Sequence, residues 1–291
     1  KENIISRLPA MKLRDKAIVI TGGSSGIGKA LALRCARDGA KVLVAARNED
    51  ALKQTVQEIN DAGGEGFFFT VDVTNPKRVK AMFSYAVKNL GCVDIVCNNA
   101  GLGFVKRIYE LTDDEIAKMI NVNVLGMTYV AKYASQIFKE QERGHLINTS
   151  SLAGLITIPQ WSVYVATKWA VTGLTDSIRQ ELKPFDVLVT SVHPGAVKTD
   201  FFEKDKANID LYQFDDAISP DEVADAVYEA MLTDTRRVVV PSMAKSYSFL
   251  YKFVPGITSS MIERLGKDVQ YETEPEESAF AYVKPCPRCE K

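Results

Sequence analysis

Tyr164 and Lys168 stand four positions apart in Tyr164-Val165-Ala166-Thr167-Lys168, and Ser151 lies thirteen residues upstream. Positions i and i+4 share one face of a helix, so a phenol and an ammonium in this register can enter one pocket. A neighbouring cation favours the phenolate and is expected to draw the tyrosine pKa down from about 10. A phenol tuned in that way trades a proton with an alcohol or a carbonyl near neutral pH. Taken alone, a Tyr-x-x-x-Lys pair more often marks an ordinary amphipathic helix, so the elements around it must decide.

The first apolar run, 17–20, leads directly into Thr21-Gly22-Gly23-Ser24-Ser25-Gly26-Ile27-Gly28 and then into a helical pattern. Glycines at 22, 26 and 28 let the backbone turn tightly and approach a pyrophosphate, and the helix start offers unpaired N–H groups to that anion. The spacing is Gly-x-x-x-Gly-x-Gly, not the usual Gly-x-Gly-x-x-Gly of dinucleotide folds. At the end of the second run, Val44-Ala45-Ala46-Arg47-Asn48 holds no carboxylate before Glu49. A carboxylate there would bind the ribose 2′-hydroxyl of NAD and repel a 2′-phosphate. Arg47, with its planar fork of donors, suits the phosphate, so NADP (NADPH) is the expected cofactor. The other reading of Arg47 is a solvated surface arginine.

Apolar runs recur at 17–20, 42–46, 67–71, 95–97, 146–149, 187–192 and 238–240. Few are interrupted by charge, so they read as about seven strands buried on both faces. Helical patterns fill the gaps near 27–38, 49–62, 76–90, 113–140, 162–183 and 220–232. Asn75-Pro76 and Ser219-Pro220 look like helix starts, and Gly39 and Gly91 like helix ends. This βαβ alternation predicts an α/β, Rossmann-like, doubly wound parallel sheet flanked by helices. The domain organisation read from it is an N-terminal tail (1–11), a catalytic domain (12–241), a helical extension (242–270) and a tail (271–291). The segment at about 200–218 lacks periodicity and falls beyond a strand end, where ligands bind, so it reads as a substrate lid.

The chain has 291 residues, 46% of them hydrophobic, and a net charge of −1, which gives no reason to expect a nucleic-acid partner. No apolar run resembles a signal peptide or a membrane span, and the expected setting is cytoplasmic. Cys35, Cys92 and Cys97 read as buried free thiols. Cys286 and Cys289 form half a zinc site at most, and no metal is expected. His193 reads as a packed, backbone-bonded imidazole and His145 as an exposed one. The aromatic-rich 245–265 stretch reads as helices over the active-site mouth or on a partner subunit. The less favoured reading is a membrane-surface contact, with Lys245 and Lys252 as interfacial cations.

Together these motifs resemble the short-chain dehydrogenase/reductase family over roughly residues 12–240. Thr21 to Gly28 is similar to its glycine-rich cofactor loop, with Gly22, Ser24, Ser25, Gly26, Ile27 and Gly28 at the phosphates. Asp72-Val73 resembles its adenine-contacting pair, and Asn98, Asn99, Ala100 and Gly101 its Asn-Asn-Ala-Gly segment. Pro194, Gly195, Val197 and Thr199 resemble the Pro-Gly segment whose threonine holds the nicotinamide carboxamide. Asn123, Ser151, Tyr164 and Lys168 match the catalytic tetrad, Ser151 being chosen over Ser150 by its spacing to Tyr164.

The resemblance implies hydride transfer between NADP(H) and a carbonyl or secondary alcohol of a small or lipid-like molecule. Tyr164 would move the proton, Ser151 would position the oxygen, Lys168 would bind the nicotinamide ribose, and Asn123 would hold a relay water. It also implies a homodimer or homotetramer through the helices near 113–140 and 162–183. Relatives that prefer NADP often carry a basic residue in the glycine loop, where this chain has Ser25. The competing classes are an NADP-binding sensor or scaffold without turnover, and a lipid ketoreductase working at a membrane surface.

Overall fold

A computed structural model describes residues 12–199, 201 and 217–253. Strands and helices alternate as β1 (Ala17–Thr21), α1 (Gly26–Ala36), β2 (Lys41–Ala46), α2 (Glu49–Asp61), β3 (Glu65–Thr70), α3 (Pro76–Leu90) and β4 (Ile95–Asn98). They continue as α4 (Asp113–Ile120), α5 (Met127–Gln141), β5 (Gly144–Thr149), α6 (Ser162–Leu182), β6 (Val187–Pro194), α7 (Pro220–Met231), β7 (Arg237–Val240) and α8 (Met243–Phe253). The strands form one parallel sheet in the order β3-β2-β1-β4-β5-β6-β7. The order reverses between β1 and β4, and that reversal opens the crevice at the strands' carboxyl ends.

The uninterrupted apolar runs follow from two cores, one on each face of the sheet. In β1, Ile18 and Ile20 enter the core shared with α1 and α7, while Ala17 and Val19 enter the core shared with α3 and α5. A strand with period two and a core on both sides must be apolar at every position. Each fully buried Val, Leu or Ile side chain contributes roughly 1.5–3 kcal/mol. The two edge strands differ from the expectation: β3 and β7 are only part-buried, because each has one neighbouring strand instead of two.

Caps set the helix boundaries. Asn75 accepts from the Lys77 and Arg78 amides with Pro76 behind it, and Ser219 forms a capping box with Glu222. These satisfy first-turn amides that have no partner within the helix. Gly91 ends α3 at φ 84°, whereas α1 ends at Arg37 and Gly39 closes the turn beyond it. The 113–140 pattern is not one α-helix. A π-helical turn, Asn121–Gly126, separates α4 from α5 and carries Asn123 and Gly126 inward. Beside it, Asn98 Nδ2 donates to the Met127 carbonyl (2.8 Å). Such turns often mark functional positions.

His145 corrects the expectation of an exposed imidazole: it is buried in β5, with Nε2 2.8 Å from Thr190 Oγ1 on β6. Cys35 and Cys97 are buried, but Cys92 is part-exposed beside Asp94. Tyr251 on α8 hydrogen-bonds Thr157 (2.5 Å), so the start of the expected extension docks on the loop after β5. The 1–11 tail, nearly all of the 200–218 lid, the extension beyond 253, Cys286 and Cys289 lie outside the described residues.

Candidate active site

The glycine loop between β1 and α1 is shaped by what it cannot hold. A Cβ on Gly28 would lie 2.3 Å from the Gly22 carbonyl oxygen, and one on Gly22 (φ 68°) would meet Asn99 and Ala100 at 3.0–3.1 Å. Side chains at either position would push the loop away from β4. Thr21 fastens the same junction: its hydroxyl accepts the Asn99 and Ala100 amides (2.9 and 3.1 Å), and Asn99 Nδ2 donates to the Thr21 carbonyl (3.2 Å). Helix α1 begins with no side-chain cap from Ser25 and no acidic residue in its first turn. Its free amides and bare loop fit a dinucleotide phosphate, which the helix N-terminus attracts.

On the far side of β4, Gly101 lies over the catalytic candidates: a Cβ there would meet Asn123 Oδ1 at 3.3 Å and Lys168 Nζ at 3.6 Å. Asn123 is fully buried. Its Oδ1 accepts the Leu102 amide (2.9 Å), and its Nδ2 donates to the Leu102 carbonyl (2.7 Å) and to Thr167 Oγ1 (3.1 Å). The expected holder of a relay water is therefore also the clamp of the 101–105 loop. Lys168 Nζ donates to the Thr149 carbonyl (3.1 Å) and sits 5.5 Å from the Tyr164 ring centre.

Ser151 stands beside Tyr164, where its hydroxyl favours the phenolate. Ser150, the competing serine, is consumed elsewhere: its hydroxyl donates to the Lys168 carbonyl (2.8 Å) and pairs with Thr172 (3.1 Å), tying β5 to α6. Ser151 Oγ is 3.5 Å from the Pro194 carbonyl. From Pro194 the chain runs through Gly195 and Val197, which is bridged to Ile218, to Thr199. A Cβ on Gly26 would lie 3.2 Å from Thr199 Cγ2. The sequence candidates thus close a ring from the glycine loop through Asn99, Gly101, Lys168, Tyr164, Ser151 and Thr199 back to α1.

Arg47, Asp72, Ser24 and Ser25 stand at the outer rim. Arg47 is exposed at the end of β2 and makes no ion pair among the described residues, while Glu49 is engaged by Lys53 (2.8 Å). Asp72 is exposed, and its carboxylate accepts from the Thr74 amide (2.9 Å) and hydroxyl (2.7 Å). Val73 is buried against the π turn.

The electrostatics correct one expectation. Burial pushes the Tyr164 phenol up to about 12, with the neighbouring Ser151 hydroxyl pulling the other way, and burial pushes Lys168 down to about 8. The ammonium does not acidify the phenol in the protein alone. Both groups are desolvated, which disfavours each charged form, and the lysine is turned to a carbonyl. At pH 7 the phenol is protonated and the lysine largely charged.

Other side chains line the site; Phe201 falls in the expected lid and Asn98 in the Asn-Asn-Ala-Gly segment, while Trp161, Leu102, Phe104, Ile158 and Asn148 carry no signal in the sequence. Trp161 and Phe201 set their rings edge-on to Tyr164 (centroids 5.3 and 6.1 Å), and Leu102, Phe104 and Ile158 complete an apolar wall. Asn98 Nδ2 donates to Asn148 (3.0 Å), whose own amide donates to Thr175 (3.0 Å), a buried chain linking β4, β5 and α6. Single asparagines in apolar runs carry too little pattern to reveal such a chain.

The fold and this ring of residues together define a nicotinamide-type α/β oxidoreductase. The short chain dehydrogenase family model matches residues 16–210, and the chain belongs to that family. It is 36% identical over 229 residues to an uncharacterized oxidoreductase of Listeria monocytogenes, covering 76% of this chain and 92% of that protein. It is 32% identical over 240 residues to a diacetyl reductase, (S)-acetoin forming, of Staphylococcus epidermidis, covering 81% of this chain and 91% of that protein. Among solved structures, it superposes on a short chain dehydrogenase/reductase from Burkholderia phymatum in complex with NAD (TM-score 0.77, 25% identity, 89% of this chain and 99% of that one). It also superposes on an alcohol dehydrogenase of Thermococcus sibiricus complexed with 5-hydroxy-NADP (TM-score 0.69, 33% identity, 77% and 95%). Both cofactor types occur among these neighbours.

Proposed function

We propose that this oxidoreductase is NADP(H)-dependent and reduces an apolar ketone or aldehyde, or oxidises the matching alcohol. The observation that carries the reading is Tyr164 buried with Lys168 and flanked by Ser151, on the same ring as the uncapped start of α1. A nicotinamide dinucleotide, held by the glycine loop and the start of α1, would supply or accept the hydride. Tyr164, protonated at neutral pH, donates to the substrate oxygen as negative charge develops there. Ser151 Oγ hydrogen-bonds the same oxygen and fixes its position. Lys168 keeps a positive charge under the phenol as the phenolate forms. Asn123 holds Leu102, and through it the loop that carries Gly101 over Lys168.

Arg47 supports NADP over NAD, because it makes no ion pair among the described residues while Glu49 is occupied by Lys53. The walls from Trp161, Phe201, Leu102, Phe104 and Ile158 support an uncharged, apolar substrate, small or lipid-like. Exposed Ile120, Leu125 and Trp169 on the α4–α5 and α6 surfaces support assembly into a homodimer or homotetramer. The free thiols of Cys35, Cys92 and Cys97 fit a reducing, cytoplasmic setting. The test is NADPH consumption with a panel of aldehydes, ketones and diketones, diacetyl included. Turnover with at least one carbonyl class, faster with NADPH than NADH, is expected. Tight NADPH binding without turnover across the panel would replace this reading with a binding module.

A further inference from the structure

His193 is fully buried near the end of β6, and nothing in the proton transfer above uses it. Its Nδ1 lies 3.0 Å from the Ser151 carbonyl oxygen, and its Nε2 lies 2.9 Å from Ser191 Oγ, two residues back on the same strand face. A carbonyl oxygen only accepts, so Nδ1 carries the proton. Burial pushes the imidazole down to about 4, so the ring is neutral and Nε2 is an acceptor. The Ser191 hydroxyl then donates to Nε2, in preference to the Arg236 carbonyl 3.4 Å away. Partners on both sides therefore select one tautomer.

Ser151 is the residue this arrangement governs. Its carbonyl accepts from His193 and from the Gly154 amide (2.9 Å). Its backbone is extended, and its Oγ accepts the Ala153 amide (3.1 Å). The Gly154 and Ala153 bonds hold the short turn to itself. The His193 bond ties that turn to β6, whose Pro194 begins the segment leading to Thr199. We propose that His193 is a positioning residue. Its Nδ1–H fixes the Ser151 peptide plane, and so the direction from which Ser151 Oγ meets Tyr164 and the substrate oxygen. This rests on reading Ser151 and Tyr164 as the working pair.

The chain has two histidines, so NMR of isotopically labelled imidazole nitrogens resolves His193 once His145→Gln assigns the other. The Nδ1-protonated tautomer is expected in the protein without substrate; the Nε2-protonated form overturns the proposal. A second arm compares His193→Asn, whose amide donor overlays Nδ1, with His193→Gln, whose donor reaches toward the Nε2 position. The probe is the carbonyl compound that the wild type turns over fastest in the panel above. His193→Asn is expected to keep kcat within about threefold, and His193→Gln to lose about a hundredfold, with NADPH affinity unchanged, as misplacing a reacting group costs. Equal kcat for Asn and Gln, or losses that track melting temperature in both, would overturn the positioning role. If both variants keep full activity while Tyr164→Phe is dead, the inference fails and the site reading stands. If Tyr164→Phe is itself fully active, the site reading fails and takes this inference with it.

Discussion

The proposed nucleotide half and the proposed catalytic half of the crevice are built from opposite materials. Around β1, α1 and β2 the site is made by leaving side chains out: Gly22 and Gly28 bring backbone close to backbone, Gly26 leaves room for the Thr199 side chain, and α1 presents bare amides. Around β4, β5, β6 and α6 it is made by putting polar side chains in and pairing each one. Asn123 pairs with Leu102, Ser150 with the Lys168 carbonyl, and Asn98 with Asn148. The first half depends on shape, the second on electrostatics in a desolvated interior. A steric cradle should fail abruptly when one carbon is added. A hydrogen-bonded network should fail by degrees and respond to pH.

The sharpest way to break this contrast is Gly28→Ala. Its Cβ would sit 2.3 Å from the Gly22 carbonyl oxygen, so the loop must move. NADPH affinity, measured by fluorescence titration, is expected to fall by at least about a hundredfold, on the scale that overpacking and lost backbone contacts set. Unchanged affinity would show that the cradle is not steric. Next in size is Arg47→Asp at the rim. Losing charge-assisted hydrogen bonds to a 2′-phosphate costs about 1.5–3 kcal/mol, so the NADP-over-NAD ratio should drop roughly ten- to a hundredfold. A constant ratio would return Arg47 to the solvated surface.

In the catalytic half, kcat/KM for reduction should decline above pH about 8 as Lys168 loses its proton. Tyr164 is pushed up to about 12 and remains protonated there, so it does not set that limb. A flat profile to pH 10 would argue that the lysine charge is idle. The smallest effect on turnover is expected from His145→Gln, which keeps a donor for Thr190 but cannot titrate. Burial holds both His145 and His193 near 4, below the usual 6.5. The unfolded chain therefore binds more protons between those values, and stability present above pH 6.5 is lost as pH falls toward 4. Each histidine accounts for roughly 3 kcal/mol of that loss. His145→Gln should flatten about half of the fall in melting temperature across this range while leaving neutral-pH turnover unchanged.

The two halves also differed in how far the sequence revealed them. Gly22, Gly26 and Gly28 after an apolar strand are legible because a missing Cβ is a local property. Strand and helix placement was legible for the same reason, since period and caps such as Asn75 and Ser219 are local too. The β3 and β7 exposures were not, because edge position depends on strand order. His145 looked exposed because one imidazole before an apolar run gives no sign of a partner on β6, forty-five residues away. The Tyr164 shift went the other way from expectation because charge pairing shows in the i, i+4 spacing while desolvation does not. Ser150 and Ser151 could be separated only by spacing, until the structure showed Ser150 bonded into α6.

Tyr164→Phe, assayed for turnover and NADPH binding in the same preparation, bears most directly on the central claim. The account expects turnover to fall by about a thousandfold or more, within the range for loss of a general acid. NADPH affinity and melting temperature should stay close to wild type. Turnover that survives the loss of this one hydroxyl would contradict it.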